Sequence, residues 1–225
     1  MAIGFHTVLI RECRSMAIRL GGSRRQAFLN LLAVAVIAAG LPWIMGAEFL
    51  RTLVLIPLAC LSVFLVADMV ADSFSGPAGS TDVSACLCRA AACTIAGWTT
   101  GLTTVAGGLV AVNVLHWEGD WQLPPRMILV DAALLSLAAS VFVAGAAVCV
   151  SRRFGSAHAA RLLFKIVMLM ATVALMYGCR RSLVTGRILL TNDLVTRVTW
   201  TASAFLLANG GALALYGAGM AAKRE

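Results

Sequence analysis

The sequence predicts an all-α protein that crosses a membrane several times, and three observations lead to this fold class. Hydrophobic residues make up 60% of the 225 residues and charged residues only 12%, against about 45–50% and about 25% in a soluble domain. The hydrophobic residues form stretches of about 20 residues, the length of helix that crosses a bilayer. These stretches are apolar on all sides and lack the alternating polarity of a membrane barrel. A soluble globule is therefore excluded.

Six stretches are long and apolar enough to be transmembrane helices. They are residues 26–46, 50–71, 89–115, 127–150, 161–179 and 198–219. The remaining segments are too short for a separate soluble domain, so the sequence predicts a single transmembrane domain over residues 1–225. We expect a cytosolic or interfacial segment at 1–25, a six-helix membrane domain at 26–219 and a cytosolic tail at 220–225.

The segment before the first span predicts an amphipathic helix on the inner membrane surface. Its apolar residues recur at helical spacing, and most of its arginines fall off that stripe. The apolar residues are Phe5, Val8, Leu9, Cys13, Met16 and Leu20. A basic leader that only sets the topology is the alternative interpretation.

The charge distribution predicts that both termini are cytoplasmic. With the N-terminus inside, twelve of the 18 Lys and Arg residues lie on the inner side, as the positive-inside rule requires. The large aromatic residues fall at the outer ends of the spans, where their rings favour the membrane interface. They are Trp43, Trp117, Trp121, Tyr177 and Trp200. Anionic headgroups account for the net charge of +8, so nucleic acid is not expected as a partner.

Few ionisable residues lie inside the predicted spans, which argues against a carrier powered by its own charges. Asp68, Arg89, Asp131 and Lys165 all lie close to a predicted helix end, where we expect them to reach headgroups or water.

Interior polar residues are concentrated in the third predicted span. Gly97 and Gly101 have the spacing that lets two helices approach closely. We assign these glycines, together with neighbouring threonines and two asparagines, to helix packing or to a translocation path, and packing is the favoured interpretation. The other residues of the set are Thr99, Thr100, Thr103, Thr104, Asn113 and Asn209.

No catalytic or metal-binding motif stands out in the chain. A nucleophile elbow, a zincin helix and a phosphate-binding loop are all missing from the sequence. The 7 cysteines are an odd number, which argues against a closed disulfide framework. Cys86, Cys88 and Cys93 have neither zinc spacing nor an adjacent histidine. We therefore expect no enzymatic activity, cofactor or metal in this chain.

Three inner segments carry short motifs. The second span continues into Phe74-Ser75-Gly76, a Phe-x-Gly pattern, and Val150-Ser151-Arg152-Arg153 follows the fourth span. A basic pair, Lys223 and Arg224, follows the sixth. With the leading helix and the six spans, these motifs resemble the type-2 permeases of ATP-binding-cassette exporters. The family's Glu-Arg-Glu core is missing after Gly76.

The resemblance implies a cytosolic ATPase subunit as partner, which would bind ATP and Mg²⁺, and a second permease subunit, identical or related. Residues 72–88 would contain the helix that docks on the ATPase, and residues 180–197 would form an outer re-entrant region. The coupling residues would be Asp68, Asp72, Phe74, Gly76, Ser151 and Arg153. A flexible connector is the alternative for residues 72–88, because turn-forming residues are frequent there.

The expected function is thus that of a permease subunit that moves a hydrophobic or amphipathic cargo, in a bacterial cytoplasmic membrane. A structural or assembly subunit of a larger membrane complex is one alternative, in which small-residue faces bind neighbouring helices. An enzyme or carrier that acts alone is another, but no clustered acid, base or nucleophile supports it.

Overall fold

The computed structural model describes residues 55–65, 83–153 and 192–222, and single helical positions between residues 7 and 43 and at 166 and 170. The described residues form helices and contain no strand. The helices are α1 (Leu55–Leu65), α2 (Val83–Leu115), α3 (Arg126–Arg153) and α4 (Asn192–Ala222). Three of them, α2, α3 and α4, are long and apolar enough to cross a membrane. The predicted class, an all-helical membrane protein, is confirmed at this level.

Two helices begin before their predicted spans, although the predicted span at 198–219 agrees closely with the apolar span Thr196–Met220 of α4. α2 begins at Val83 and not at residue 89, so residues 83–88 belong to this helix rather than to the predicted inner loop. α4 begins at Asn192 and not at residue 198, and thus includes the end of the predicted re-entrant region. α4 starts with Asn192 and Asp193, polar residues that a search for apolar stretches omits. Residues 83–88 of α2 are mostly apolar and continue the helix before Arg89. α3 agrees closely with the predicted span at 127–150.

Other predicted elements lie mostly or wholly outside the described residues. These are the N-terminal segment at 1–25 and the spans at 26–46 and 161–179, of which the structure describes only single helical positions. Within the predicted span at 50–71, the structure describes α1.

The described helices pack around α3. Gly97 of α2 lies against Ser140 of α3, and Gly101 lies against Ser136, so α2 and α3 run antiparallel. Alanines are frequent in the core around α3, where Ala132, Ala139, Ala144 and Ala147 are almost fully buried beside larger side chains such as Leu58 of α1 and Val112 of α2. Because lipid offers no hydrophobic driving force between helices, such close van der Waals contact provides much of the attraction.

α3 and α4 run parallel to each other. Asp131 contacts Thr196 near the start of both helices, whereas Gly145 contacts Gly210 further along. The end of α3 and the start of α4 therefore lie at opposite ends of the bundle, and residues 154–191 join these two ends.

The directions of the helices define two ends of the described bundle. The basic end contains the start of α2 at Val83, the end of α3 at Arg153 and the end of α4 at Ala222. The tryptophan end contains the loop at residues 116–125, between α2 and α3, and the start of α4.

Candidate functional site

The most unusual group in the described bundle is a buried carboxylate between α3 and α4. Asp131 is only 1% exposed. Its Oδ2 accepts a hydrogen bond from Thr196 Oγ1 at 2.9 Å, and its Oδ1 accepts one from Trp200 Nε1 at 3.0 Å. Thr196 and Trp200 are one helical turn apart on α4, so both donors point to the same side of that helix. The carboxylate thereby connects two helices through two side chains.

The depth of Asp131 makes this arrangement significant. The spanning part of α3, Arg126–Ser151, has 26 residues and is about 39 Å long at about 1.5 Å per residue. A hydrocarbon layer of about 30 Å leaves about 4–5 Å of a centred helix outside it at each end. Asp131 lies about 7.5 Å along the helix from Arg126, just inside the hydrocarbon. An ionisable residue at such a position is expected to have a function.

The sequence-based expectation for Asp131 is therefore wrong in one respect. It places the side chain within reach of headgroups or water, whereas α4 covers it. The residue is close to a helix end as expected, but the neighbouring helix and not the solvent supplies its hydrogen-bond donors. The signal that sequence reasoning missed is the threonine and tryptophan one turn apart, two donors on one face of an apolar helix.

Small residues, two with hydroxyl groups and two glycines, follow the same face of α4. Thr196, Ser203, Gly210 and Gly217 recur at every seventh position, the period of two helices that pack side by side along their length. Ser203 is 1% exposed, and its hydroxyl has no hydrogen-bond partner.

Glycines allow α3 and α4 to approach so closely that their backbone atoms are in contact. A Cβ on Gly145 would overlap the carbonyl oxygen of Gly210. A Cβ on Gly210 would lie 2.7 Å from the backbone N and Cα of Phe142. Near the basic end, a Cβ on Gly217 would lie 3.0 Å from the backbone N of Cys149. The buried aspartate thus belongs to an interface that is tightly packed toward the basic end.

The residues of α2 that were predicted to line a translocation path either form hydrogen bonds within α2 or pack against α3. Thr99 and Thr103, both exposed, donate hydrogen bonds to carbonyls of their own helix, and so do Thr100 and the buried Thr104. A Cβ on Gly97 would lie 2.9 Å from Ser140 Oγ. The structure brings these residues together on α2, but their polar groups bond within that helix.

Asn113, another predicted path residue, closes the loop at the tryptophan end. Its Oδ1 accepts a hydrogen bond from the backbone N of Gln122 at 2.7 Å, and its Nδ2 donates to the Gln122 carbonyl at 3.0 Å. Within this loop, Gly119 has a φ of 100°, which favours glycine. The rings of Trp117 and Trp121 meet edge to face, 6.2 Å apart. Asn113 therefore fixes the α2–α3 hairpin.

Asn209 lies apart from the other predicted path residues. It is exposed on α4, and its Nδ2 donates to the Phe205 carbonyl at 2.7 Å.

Two predicted coupling residues are described. Ser151 donates to the carbonyls of Ala147 and Val148, and Arg153 is the last residue of α3 at the basic end. Asp68, Asp72, Phe74 and Gly76 lie outside the described residues.

No protein-family model, curated protein or solved structure matches this chain. In the part of the chain that the structure describes, no three histidine, cysteine or acidic side chains are grouped so as to hold a metal ion. Two features are left on which to base a function: the buried Asp131 and the convergence of helix ends at the basic end.

Proposed function

We propose that the chain is a membrane-spanning permease subunit of an ATP-binding-cassette exporter, in a bacterial cytoplasmic membrane. It moves a hydrophobic or amphipathic cargo, while a separate cytosolic subunit binds ATP and Mg²⁺ and hydrolyses the ATP. A second permease subunit completes the transporter.

The observation that carries this proposal is the position of the three helix termini that adjoin the motif-bearing segments in the sequence. The Phe-x-Gly segment precedes Val83, the Val-Ser-x-Arg motif ends α3 at Arg153, and the basic pair follows Ala222. Because α2 runs antiparallel to α3 and α4 runs parallel to it, all three helix termini lie at the basic end. A cytosolic subunit that docks at this end would contact all three helix termini.

The α3–α4 interface supports a further part of the same proposal, namely that α3 and α4 move as one unit during transport. Exporters alternate between states in which packed helices move as units, and tightly packed interfaces are not continuously deformable. Gly145 and Gly210 join α3 to α4 at backbone distance, and Asp131 joins them at the tryptophan end. A force applied at Arg153 would therefore move both helices together.

The test is a pull-down of the tagged full-length chain in mild detergent, with mass spectrometry of the proteins that co-purify and an ATPase assay of the eluate. We expect a nucleotide-binding subunit and vanadate-sensitive hydrolysis. The double variants R152E/R153E and D72A/F74A should each lose the ATPase, while R126E, which changes an exposed arginine at the tryptophan end, should retain it. An eluate with only integral membrane proteins and no hydrolysis would reject the exporter proposal.

A second candidate function is a structural or assembly subunit of a larger membrane complex. The intrahelical hydrogen bonds of the threonines on α2 favour it, since hydroxyls that bond their own backbone need no cargo. In that case the pull-down recovers a fixed set of other membrane subunits, and R152E/R153E leaves the set unchanged.

A further inference from the structure

We propose that Asp131 is a proton-binding site, which exchanges its proton with water at the tryptophan end of the bundle through the hydroxyl of Thr196. Uptake of one proton from water converts the carboxylate into a neutral carboxylic acid, and release of the proton restores the anion. The exporter proposal uses Asp131 only as a link between α3 and α4, so the proton adds a ligand that the proposed function does not require.

The first observation is that the contacts of the carboxylate are neutral. Asp131 is 1% exposed, and its hydrogen-bond donors are a hydroxyl and an indole. Among the described residues, no basic side chain forms an ion pair with it. Moving an anion out of water has a large cost in free energy when no cation compensates its charge. Uptake of a proton removes the charge and with it this cost.

The two donors accommodate both forms of the carboxyl group. Trp200 Nε1 can only donate, so Oδ1, 3.0 Å away, accepts its hydrogen bond in either form. A threonine hydroxyl both donates and accepts. Thr196 Oγ1, 2.9 Å from Oδ2, donates to the carboxylate and, after rotation of its own hydrogen, accepts from the protonated acid. The proton therefore binds at Oδ2 without any movement of α3 against α4.

The same interface gives the proton a route from one end. Thr196 is half-buried and lies one turn after the start of α4, so its hydroxyl connects the carboxylate with the headgroup layer. Toward the basic end, Gly145 and Gly210 bring the two backbones into contact. Between these levels, Ser203 is 1% exposed and its hydroxyl has no hydrogen-bond partner. No chain of hydrogen bonds thus continues from Asp131 along this face toward the basic end.

The other titratable groups of the described helices lie away from this carboxylate. Arg126 on α3 and Arg197 on α4 are the nearest charged side chains along their helices, and both are exposed. α2 has no titratable residue between Cys93 and its end at Leu115. The remaining groups are Cys60 on α1, Cys86, Cys88 and Arg89 on α2, Cys149, Arg152 and Arg153 on α3, Asp193 and Tyr216 on α4, and His116, Glu118 and Asp120 in the loop at the tryptophan end.

The experiment is a pH titration of the full-length chain, labelled with fluorotryptophan and followed by fluorine NMR in detergent. The chain has 5 tryptophans, and the spectrum of W200F identifies the resonance of Trp200. A charged acceptor makes a stronger hydrogen bond than a neutral one, so protonation of Asp131 should weaken the bond of Trp200 and shift its resonance. D131N should lose this shift. The matched control D120N, which removes an exposed carboxylate at the same end, should retain it.

Infrared difference spectra between acidic and alkaline samples give a second readout, because a carboxylic acid has a C=O band that a carboxylate lacks. D131N should lose one such band, whereas D131E, which keeps an ionisable carboxyl group, should shift it. D131E also serves as the test variant if D131N does not fold. A Trp200 resonance that stays fixed while the folded chain is titrated would overturn the proposal. A shift that persists in D131N, or the absence of a band that depends on residue 131, would do the same.

The route through Thr196 is tested by transfer into heavy water, which shifts the same band as deuterium replaces the proton. The exchange should be slower in T196V than in the wild type. T201V is the matched control, because the exposed Thr201 hydroxyl bonds only within α4, and it should exchange at the wild-type rate. Equal rates in T196V and T201V would reject the route. None of these measurements requires an ATPase or a cargo, so their failure is distinct from a failure of the exporter proposal.

Discussion

The two faces of α3 differ in the atoms that its neighbours' glycines contact. Toward α2, the glycines meet side chains: a Cβ on Gly97 would touch Ser140 Oγ, and one on Gly101 would touch Ser136 Cβ. The Ser140 hydroxyl donates a hydrogen bond to the Ser136 carbonyl at 2.7 Å, so this contact can adjust by rotation of the side chain only with loss of that bond, but it does not require the helix to shift.

Toward α4, the glycines meet backbone. Gly145 lies against the carbonyl of Gly210, and Gly210 lies against the backbone of Phe142. A backbone atom of a helix cannot move without shifting the helix itself. The comparison shows that the α2–α3 interface tolerates small changes, while α3–α4 has one close-packed arrangement that Asp131 reinforces.

The largest effect is expected at the backbone contact. Gly210→Ala should destabilise the chain by about 3 kcal/mol, the upper part of the usual range for overpacking. The loss of stability is measured by thermal unfolding in detergent. The readout is the reaction of a fluorogenic maleimide with cysteines that are buried in the folded chain, Cys60, Cys86, Cys88 and Cys93. If Gly210→Ala unfolds at the wild-type temperature, the distinction between the two faces of α3 is wrong.

A smaller effect is expected at Asp131. Asp131→Ala removes the acceptor of two hydrogen bonds and should cost about 2 kcal/mol, whereas Asp131→Asn keeps one carbonyl acceptor and should cost less. Combining Asp131→Ala with Trp200→Phe should give a coupling energy of about 0.6–1.7 kcal/mol in a double-mutant cycle. Strictly additive effects would mean that the carboxylate does not bind α4 through Trp200.

The α2–α3 interface should respond less. Gly97→Ala brings a methyl group 2.9 Å from Ser140 Oγ. Rotation of that hydroxyl, which gives up its hydrogen bond to the Ser136 carbonyl, limits the loss of stability to about 1.5 kcal/mol. Because Ser140→Ala removes the oxygen, the double variant G97A/S140A should recover part of this loss. If the double variant is no more stable than Gly97→Ala in the maleimide assay, the new methyl group does not clash with Ser140 Oγ.

The smallest effect on the folded monomer is expected at Gly211. Its Cβ position is open, so Gly211→Ala should leave the unfolding temperature unchanged or raise stability by up to about 1 kcal/mol through helix propensity. It is the neighbour of Gly210 in sequence and therefore the matched control for that variant. A large destabilisation would show that another part of the folded chain covers this position.

The sequence allowed the helical class to be predicted, because uninterrupted apolar stretches are a property of single segments. The span at 127–150 differs little from α3, whose charged residues lie toward its ends. The start of α4 was missed because Asn192, Asp193 and Arg197 interrupt the apolar pattern without interrupting the helix. The start of α2 was missed because residues 83–88 were assigned to the inner loop, although they are mostly apolar.

The contacts between helices could be predicted much less well. The Gly97 and Gly101 spacing indicates a face of α2 that can pack closely, but it does not identify Ser136 and Ser140 of α3 as its neighbours. The burial of Asp131 depends on α4 running parallel beside α3, a relation between segments distant in sequence that no local pattern contains.

The separation of Asp131 from its donors has a consequence for biosynthesis. Thr196 and Trp200 follow it by 65 and 69 residues, so ribosomes that add about 5–20 residues per second synthesise Asp131 roughly 3 to 14 seconds before both donors exist. During this interval the carboxylate must remain at the membrane surface or stay in contact with the insertion machinery. The contacts that fix Asp131 between α3 and α4 therefore form only after α4 has been synthesised, so that the final placement of α3 depends on a helix made later.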